Sequence, residues 1–455
     1  MPSIPRKTKS ISEINTADML NSLAVNAGLN DMPVVHSGDV QSLKDFGNAI
    51  INFQGNSNAF LGALINRNGR VIITSKMYEN PWSVFKRGIM EYGETIEEIF
   101  VSMAEPYTYN PAKTENTDFK RYIPDVKSVF HSMNFQKFYP TTVSEAQLRQ
   151  AFLSFEGVNE LISRIIQQVY TGANYDEFIV MKYMLARNIL AGQMYAVNVP
   201  QPTTGNARAV AATMVDYGMK IRYISDEFNH AHVRTNTELS EMYMIIPTNF
   251  NAIMDVEVLA LSFNMTKAEL LGRQIGVDGF GILDNERLAM VFAENSDYTP
   301  ITPAEMQRLN SVVGVMVDKN YFMIFDNNIF MSDIFSPVGL YWTYYYHNWK
   351  TFSTSPFCNA ILFTTETPAI TSIAISPNTA TVVKGNSVKF TAVIQSTGFA
   401  DSSVKWEVSG DGVTAVISAD GTLTVSTAET ATELTVTATS IFDPTKSATA
   451  TVTVQ

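Results

Sequence analysis

Apolar and polar residues alternate along the last part of the chain, after Pro368. Period-two alternation of β-branched residues is typical of half-buried strands, and several turns that contain glycine separate the alternating segments. The segments are residues 387–393, 404–408, 422–425, 433–439 and 448–454. Short strands at this spacing predict a small all-β sandwich with Trp406 in its core.

A helical period marks the middle of the chain, where apolar residues recur three and four positions apart. Ser144 and Gln147 have the spacing of a capping box, so a helix is predicted to start there and to continue to about Tyr170. Gly172 is the expected stop, and a second helix is expected to end near Gly192. Shorter helices are predicted at 207–219, at about 250–263 and after Thr266.

Strands are predicted on both sides of these helices. Residues 70–74 form one, and residues 311–317 and 321–325 form a hairpin around a three-residue turn. The aromatic run at 341–349 indicates either core or a subunit interface, where large rings bury much surface. Residues before Asn58 are polar and predict an extended arm with at most short helices. The first part is therefore mixed, and the whole chain is α+β.

Charge and cysteine content narrow the classes of function. The net charge of −12 leaves the chain without the overall basic footprint of a protein that grips nucleic acid by its phosphates. An acidic protein can still enclose DNA, because repulsion keeps the DNA off the wall. Cys358 is the single cysteine, so no intramolecular disulfide can form. With no signal-peptide or membrane-span pattern, we expect folding in a cytoplasm and no membrane partner.

Three candidate sites of chemistry were weighed against structural alternatives. His230 and His232 would share one side of a strand and bind a metal, but surface histidines in a polar loop are the favoured interpretation. The glycine-rich stretch 276–281 lacks the spacing of a nucleotide-binding motif and indicates a flexible loop. Cys358 and His347 lack a third partner, so an inert buried thiol is expected. We expect no catalytic residues, no metal and no cofactor.

Four stretches, in order along the first part, resemble the major head proteins of phi-29-like phages. They are residues 80–88, 93–99, 124–131 and 339–349. The last part resembles a group 2 bacterial immunoglobulin-like domain, on the residues around Gly385, Trp406, Gly421 and Val436. The resemblance extends from about Ile65 to the C-terminus, whereas the first sixty residues match poorly.

The resemblance implies the HK-97-like phage capsid fold followed by an immunoglobulin-like sandwich. Its parts are an N-terminal arm at 1–60 and a capsid domain at 61–367, then the immunoglobulin-like domain at 368–455. Within the capsid domain it implies an extended hairpin loop at about 70–101, a spine helix at about 144–170, and peripheral and axial lobes. Pro81, Trp82 and Phe85 place bulky groups on the expected loop, and they are the candidate intersubunit contact.

The implied function is self-assembly of a major capsid protein into an icosahedral or prolate head shell around packaged double-stranded DNA. The implied partners are copies of the chain, in pentamers and hexamers, with scaffolding protein and portal during assembly. Head fibres or host surface polymers could bind through the immunoglobulin-like domain. The implied location is the virion, after assembly in the host bacterial cytoplasm.

Two other functions were considered. An adhesive surface protein would also carry an immunoglobulin-like domain, but it would need a secretion signal and usually several such repeats. A hydrolase with an accessory β-domain would need a nucleophile, and no motif in the sequence supplies one.

Overall fold

The structure is a computed structural model that describes residues 11–29, 31–52, 55–56, 59–60, 63, 78–90, 95–107, 124–253, 273–293, 298–410 and 414–455. The chain divides into two compact units. The first unit consists of residues 1–95, 132–179 and 324–352, and the second of residues 96–131, 180–323 and 353–455. No helix within the described ranges is long and apolar enough to cross a membrane.

The helices are short except for one. They are α1 (Ile11–Asn26), α2 (Val40–Ile51), α3 (Glu145–Ala151), α4 (Phe155–Leu190), α5 (Ala207–Lys220), α6 (Thr248–Ile253), α7 (Asn285–Val291) and α8 (Pro303–Leu309). Ser144 caps α3 and forms the predicted capping box with Gln147. The predicted stop at Gly172 is wrong, because α4 continues through it. One helical glycine costs only about 1 kcal/mol, and Val169 and Ala173 pack beside it against Tyr346. Gly192, with φ +66°, follows the end of α4 as predicted.

The first unit contains a four-stranded sheet. Its strands, in spatial order, are β1 (Lys86–Ile89), β9 (Phe322–Ser336), β10 (Tyr341–Thr354) and β4 (Phe135–Ser144). β10 carries the aromatic run and pairs antiparallel with β4 from Tyr341 opposite Ser144 to Lys350 opposite Phe135. Trp342, Tyr344 and Tyr346 alternate with more exposed residues and are buried, so one face of the run is core.

The expected extended arm is wrong for the described part of the N-terminal region, which forms α1 and α2. Leu43, Phe46 and Ile50 follow a helical period and are fully buried. They pack in one core with residues of α3, and Phe46 meets the Phe152 ring edge-on at 6.1 Å. A Cβ at Gly47 would lie 2.5 Å from the Phe152 Cβ, so glycine permits this approach. Because the region is rich in polar residues, the narrow apolar stripe along α2 did not lead to the prediction of a packed helix.

The second unit contains a mixed five-stranded sheet. Its spatial order is β5 (Tyr195–Asn198), β11 (Ala360–Thr364), β8 (Val312–Asp318), β6 (Met242–Pro247) and β7 (Gln274–Val277). The predicted hairpin of 311–317 with 321–325 is wrong. β8 is buried throughout and pairs with β11 and β6, whereas the next strand, β9, pairs in the other sheet. The tight turn between them connects two sheets.

A two-stranded antiparallel ribbon, β2 (Ile96–Val101) with β3 (Val126–His131), also belongs to the second unit. The expected hairpin loop at 70–101 is described only in part: β1 pairs with β9 and β2 pairs with β3, and the bounds of the loop stay a prediction. The predicted strand at 70–74 lies outside the described residues, as do most of the predicted helix at 250–263 and the one after Thr266. The helix predicted at 207–219 is confirmed as α5.

The immunoglobulin-like part has its own core. Its strands are β12 (Ala369–Ser376), β13 (Thr379–Val382), β14 (Ser387–Lys389), β15 (Thr391–Thr397), β16 (Val404–Ser409), β17 (Val416–Ile417), β18 (Thr422–Thr424), β19 (Glu433–Ser440) and β20 (Ser447–Val454). Four of the five predicted strand segments are confirmed, and the segment 387–393 is divided at Phe390 into β14 and β15, which pair with different strands. Phe390, Leu423 and Leu434 lie at the centre of the core, and Trp406 is half-buried and packs against it. β12, β13 and β17 were not predicted.

One carboxylate ties two loops of this part together. Glu429 is buried, and its Oε2 accepts the N–H groups of Thr414 and Ala415, each at 2.7 Å. Its Oε1 accepts the N–H groups of Thr430 and Ala431, each at 3.0 Å. These hydrogen bonds, the one from Ala431 foremost, lower the pKa of Glu429 to about 2.

Glu429→Gln should destabilise the immunoglobulin-like part and remove part of its acid sensitivity. A depressed pKa contributes stability above the unfolded value of about 4.3, and this stability is lost as pH falls toward 2. Amide hydrogen exchange of β19 and β20 in the full chain, between pH 3 and pH 7, measures the effect. The exposed Glu433→Gln is the matched control. Equal exchange in the two variants would contradict this role.

Candidate functional site

The β2–β3 ribbon has two different faces because side chains alternate along each strand. Val101 lies opposite Val126, Ile99 opposite Ser128, and Glu97 opposite Phe130, and all six side chains point outward. Four of them are apolar. Their exposed fractions are 55% for Ile99 and Val101, 51% for Val126 and 65% for Phe130. We call these four residues the ribbon face.

The opposite face of the ribbon is fixed to the second unit by polar and aromatic contacts. Glu98 accepts a hydrogen bond from Ser355 Oγ at 2.8 Å and lies 3.2 Å from His131 Nε2. His131 Nδ1 lies 2.7 Å from Ser353 Oγ, and the ring of Phe100 stacks on Phe357 at 5.9 Å. Lys127 Nζ donates to the Ala231 carbonyl at 2.9 Å. The ribbon face is therefore presented outward by an anchored element.

An exposed apolar surface on an anchored ribbon is typical of a site of protein association. A two-stranded ribbon is marginally stable alone, and clusters of exposed apolar side chains mark interaction surfaces more often than scattered ones do. The sequence analysis did not select these residues. No local pattern marks them, because Ile99 and Val101 flank the equally apolar Phe100, which lies on the opposite face.

The residues that the sequence analysis selected lie elsewhere, in the first unit. Trp82 and Phe85 are buried, and the Trp82 ring meets Phe178 edge-on at 5.6 Å. These two rings thus pack inside the first unit, and the candidate intersubunit contact at Trp82 and Phe85 stays a prediction. Pro81 is exposed, and its role as a contact stays a prediction.

Beside Trp82, four charged side chains form a network in the first unit, of which two, Glu177 and Lys350, are buried and two, Lys86 and Asp326, are partly buried. Lys350 pairs with both Glu177 and Asp326. Lys86 Nζ lies 3.2 Å from Glu177 and 2.8 Å from Asp326. Asn80 Nδ2 donates to Glu177 at 2.7 Å. Burial alone would raise the pKa values of both carboxyls, but the two ammonium groups hold them below their usual values. Two positive and two negative charges thus balance.

The segments considered for chemistry take structural roles. His230 and His232 lie in a turn and not on one side of a strand, and His232 has φ +48°. No group of three or more metal-ligating side chains occurs among the residues described. Cys358 is half-buried, so the expectation of a buried thiol was too strong. His347 stacks on Phe330 at 4.2 Å and lies 2.9 Å from Ser332 Oγ.

The glycine-rich stretch is not the flexible loop that was expected. Its first residues end β7, and the carboxylate of Asp278 pairs with the buried Lys182. A Cβ at Gly281 would lie 2.3 Å from the Met306 carbonyl oxygen. Gly281 therefore permits close packing against α8, whereas a Cβ at Gly276 would meet no atom within 4 Å.

Comparison with known proteins gives two family matches. The model of the Phi29-like phage major capsid protein matches residues 27–364, and that of the group 2 bacterial Ig-like domain matches residues 369–452. The chain is 33% identical to the major capsid protein of Bacillus phage B103, over 94% of this chain and 91% of the relative. It is 32% identical to that of Bacillus phage PZA, over 90% of this chain and 86% of the relative.

A solved structure shares the fold at low sequence identity. The chain is similar to a chain of the capsid structure of Staphylococcus phage Andhra, with a TM-score of 0.51 and 13% identity. The similarity covers 65% of this chain and 86% of that one. At this identity the likeness concerns the fold alone.

Glu177→Gln should destabilise the first unit strongly, because it leaves the buried Lys350 and the partly buried Lys86 with one carboxylate. Breaking a buried pair costs about 3–5 kcal/mol. The matched control is Asp216→Asn, which breaks an exposed pair with Lys220 and should cost less than about 1 kcal/mol. Denaturant unfolding of the purified full chain compares the two. A loss no larger for Glu177→Gln than for the control would refute the role of the network.

Proposed function

Since the chain belongs to the Phi29-like phage major capsid protein family, we propose that it closes the phage head shell through the ribbon face. It is a major capsid protein, with the HK-97-like capsid fold followed by a group 2 bacterial immunoglobulin-like domain. Its role in the phage head is structural and not enzymatic. The family match covers residues outside the immunoglobulin-like domain, so it favours a capsid protein over a surface adhesin.

The exposure of the ribbon face is the observation that supports this contact. Covering apolar surface contributes roughly 25 cal/mol per Å² removed from water, and four clustered side chains offer a sizeable area. A neighbouring copy is the proposed cover, because the chain self-assembles into a head lattice. A contact between unlike surfaces that repeats by rotation builds rings, and pentamers and hexamers of this kind close into a shell.

The rest of the assembly follows as part of the proposal. The shell forms in the host cytoplasm around scaffolding protein, with a portal at one vertex, and then encloses double-stranded DNA. The net charge of −12 suits a wall that DNA does not stick to. No sequence-specific DNA binding and no cofactor are proposed.

The immunoglobulin-like domain is proposed to be the autonomous region 368–455 and to face outward from the shell. This region has four lysines and no arginine, against seven acidic residues. Such a balance disfavours contact with packaged DNA. On the outer surface the domain would be available to head fibres or to polymers of the host surface. Its separate apolar core supports independent folding.

Replacing Ile99 and Phe130 together by serine should leave a folded chain that assembles poorly. The inner face of the ribbon keeps its anchors, whereas the lattice contact loses its two largest groups. We expect at least a roughly tenfold higher protein concentration for shell formation, equivalent to about 1.4 kcal/mol per contact. Negative-stain microscopy and sedimentation of protein expressed with a scaffold protein would measure this change.

The control is Val393→Ser, which removes an apolar group of 48% exposure from the immunoglobulin-like domain. It should assemble normally. Normal shells from the serine double variant would exclude the ribbon face as a lattice contact. Deleting residues 78–92 would not test whether the region around Pro81 contacts a neighbouring subunit. The deletion also removes Trp82 and Lys86, which belong to the packing of the first unit.

The outward placement predicts protease access in filled particles. Limited proteolysis of intact particles should release a fragment that starts near Pro368 while the capsid part stays assembled. The segment 368–455, expressed alone, should give the dispersed amide spectrum of a folded domain. A segment unfolded by itself, or one shielded from every protease and antibody in the particle, would overturn the proposal.

A further inference from the structure

One loop of the immunoglobulin-like domain, between β15 and β16, lies against other parts of the second unit. We call residues 398–403 the docking loop. Gly398 and Phe399 both have φ +60°, a conformation that costs energy for the phenylalanine. Phe399 is nevertheless 2% exposed, and Ala400 is fully buried. Burial therefore holds the loop in a strained conformation.

The surface that receives the docking loop is built from two segments. The first follows α4, where Ser402 Oγ donates to the Ala191 carbonyl at 2.8 Å. A Cβ at Gly192 would lie 2.5 Å from the Ala400 carbonyl oxygen, so only glycine permits this approach. The second is α8, where the Arg308 guanidinium lies 4.7 Å from the centre of the Phe399 ring.

The turn 230–232 completes this surface with two imidazoles. His232 Nε2 lies 3.1 Å from Asp401 Oδ2, and its Nδ1 lies 3.2 Å from the Asp226 carbonyl oxygen. His230 Nδ1 lies 3.3 Å from the hydroxyl of Ser403. Ser403 N donates to the other oxygen of Asp401 at 2.8 Å.

The surroundings of His232 favour a doubly protonated ring. Its Nδ1 lies within hydrogen-bond distance of the Asp226 carbonyl, which takes up one N–H, and its Nε2 lies within ion-pair distance of the Asp401 carboxylate. The carboxylate lies off the direction of the Nε2–H bond, so their attraction is mainly that of opposite charges. His230 has a hydroxyl partner and no carboxylate within ion-pair distance, so its neutral form fits.

We propose that His232, His230 and Asp401 form a proton-dependent latch that docks the immunoglobulin-like domain through residues 398–403. The docked state requires a charged His232 and a neutral His230. Gain of a proton by His230 or loss of one by His232 releases the loop. The domain is then a fixed part of the subunit in one pH range and a tethered part outside it.

The direction of each pKa shift agrees with this geometry. Burial lowers the pKa of His230. Burial also acts to lower that of His232, but the Asp401 carboxylate raises it above its usual value. Among the residues described, the other charged groups near the pair are Asp226 and Arg234 on the histidine side, together with Arg308, which faces Glu366 at 3.6 Å.

The two histidines act with opposite signs. His232 stabilises the docked state below its undocked pKa of about 6.5. This stabilisation is lost as the pH rises through its higher docked pKa. Docking lowers the pKa of His230, so protons favour the released state, and docking weakens as pH falls below about 6.5. Docking should therefore be strongest near pH 6.5 and weaker on both sides.

Amide hydrogen exchange of the purified full chain tests the latch, with the docking loop as reporter and β19 as a monitor of domain unfolding. After correction for intrinsic rates, protection of residues 398–403 should peak near pH 6.5. At that pH, Asp401→Asn and His232→Asn should each exchange about tenfold faster in the loop, with β19 unchanged. His230→Asn should abolish the fall in loop protection below pH 6.5 and leave the fall above pH 6.5 unchanged. The control is His36→Asn, at an exposed position in the first unit.

A flat pH profile in the unsubstituted chain would overturn the latch. So would loop exchange in Asp401→Asn and His232→Asn equal to that of His36→Asn. Loss of β19 protection in parallel with the loop would mean that the whole domain unfolds, and this outcome would equally refute release by undocking.

Discussion

The first unit depends on the pairing of Glu177 and Asp326 with Lys350 and Lys86. These residues come from α4, β9, β10 and β1, segments that are far apart in the sequence. Each charge alone would be costly to bury, and only their joint arrangement, with Asn80 on Glu177, compensates the desolvation. The network therefore requires all four segments to be in place at once. Asn80 also connects the network to Trp82, because its Oδ1 accepts the Trp82 N–H at 2.8 Å.

The surface proposed to contact a neighbouring copy is in the second unit. The ribbon offers an apolar face while its other face is anchored through Glu98, Phe100 and Lys127. The immunoglobulin-like domain is held by a strained, buried loop and by two histidines. In the proposed docked state His232 is charged and His230 is neutral. Anchoring is common to both elements: each is fixed by polar contacts on one side, so the other side is presented in a defined orientation. A lattice protein needs such defined surfaces, because the same contact must form in every copy.

The sequence predicted the features that depend on local signals. Examples are the capping box at Ser144, the helix end at Gly192 and the alternating strands of the immunoglobulin-like part. Each of these features is determined by residues only a few positions away. The pairing of β8 and β9 in different sheets, the continuation of α4 through Gly172 and the burial of Trp82 depend on distant partners, which a local pattern does not contain. The ribbon face was missed for the same reason: the exposure of Ile99 and Phe130 depends on which strand β2 pairs with.

A reconstruction of the assembled particle at side-chain resolution tests the central claim most directly. The account predicts that a neighbouring subunit covers Ile99, Val101, Val126 and Phe130 at every lattice position, while Trp82 and Glu177 stay in the interior of each subunit. A shell in which the ribbon face lies in solvent, with the lattice held by other surfaces, would contradict it.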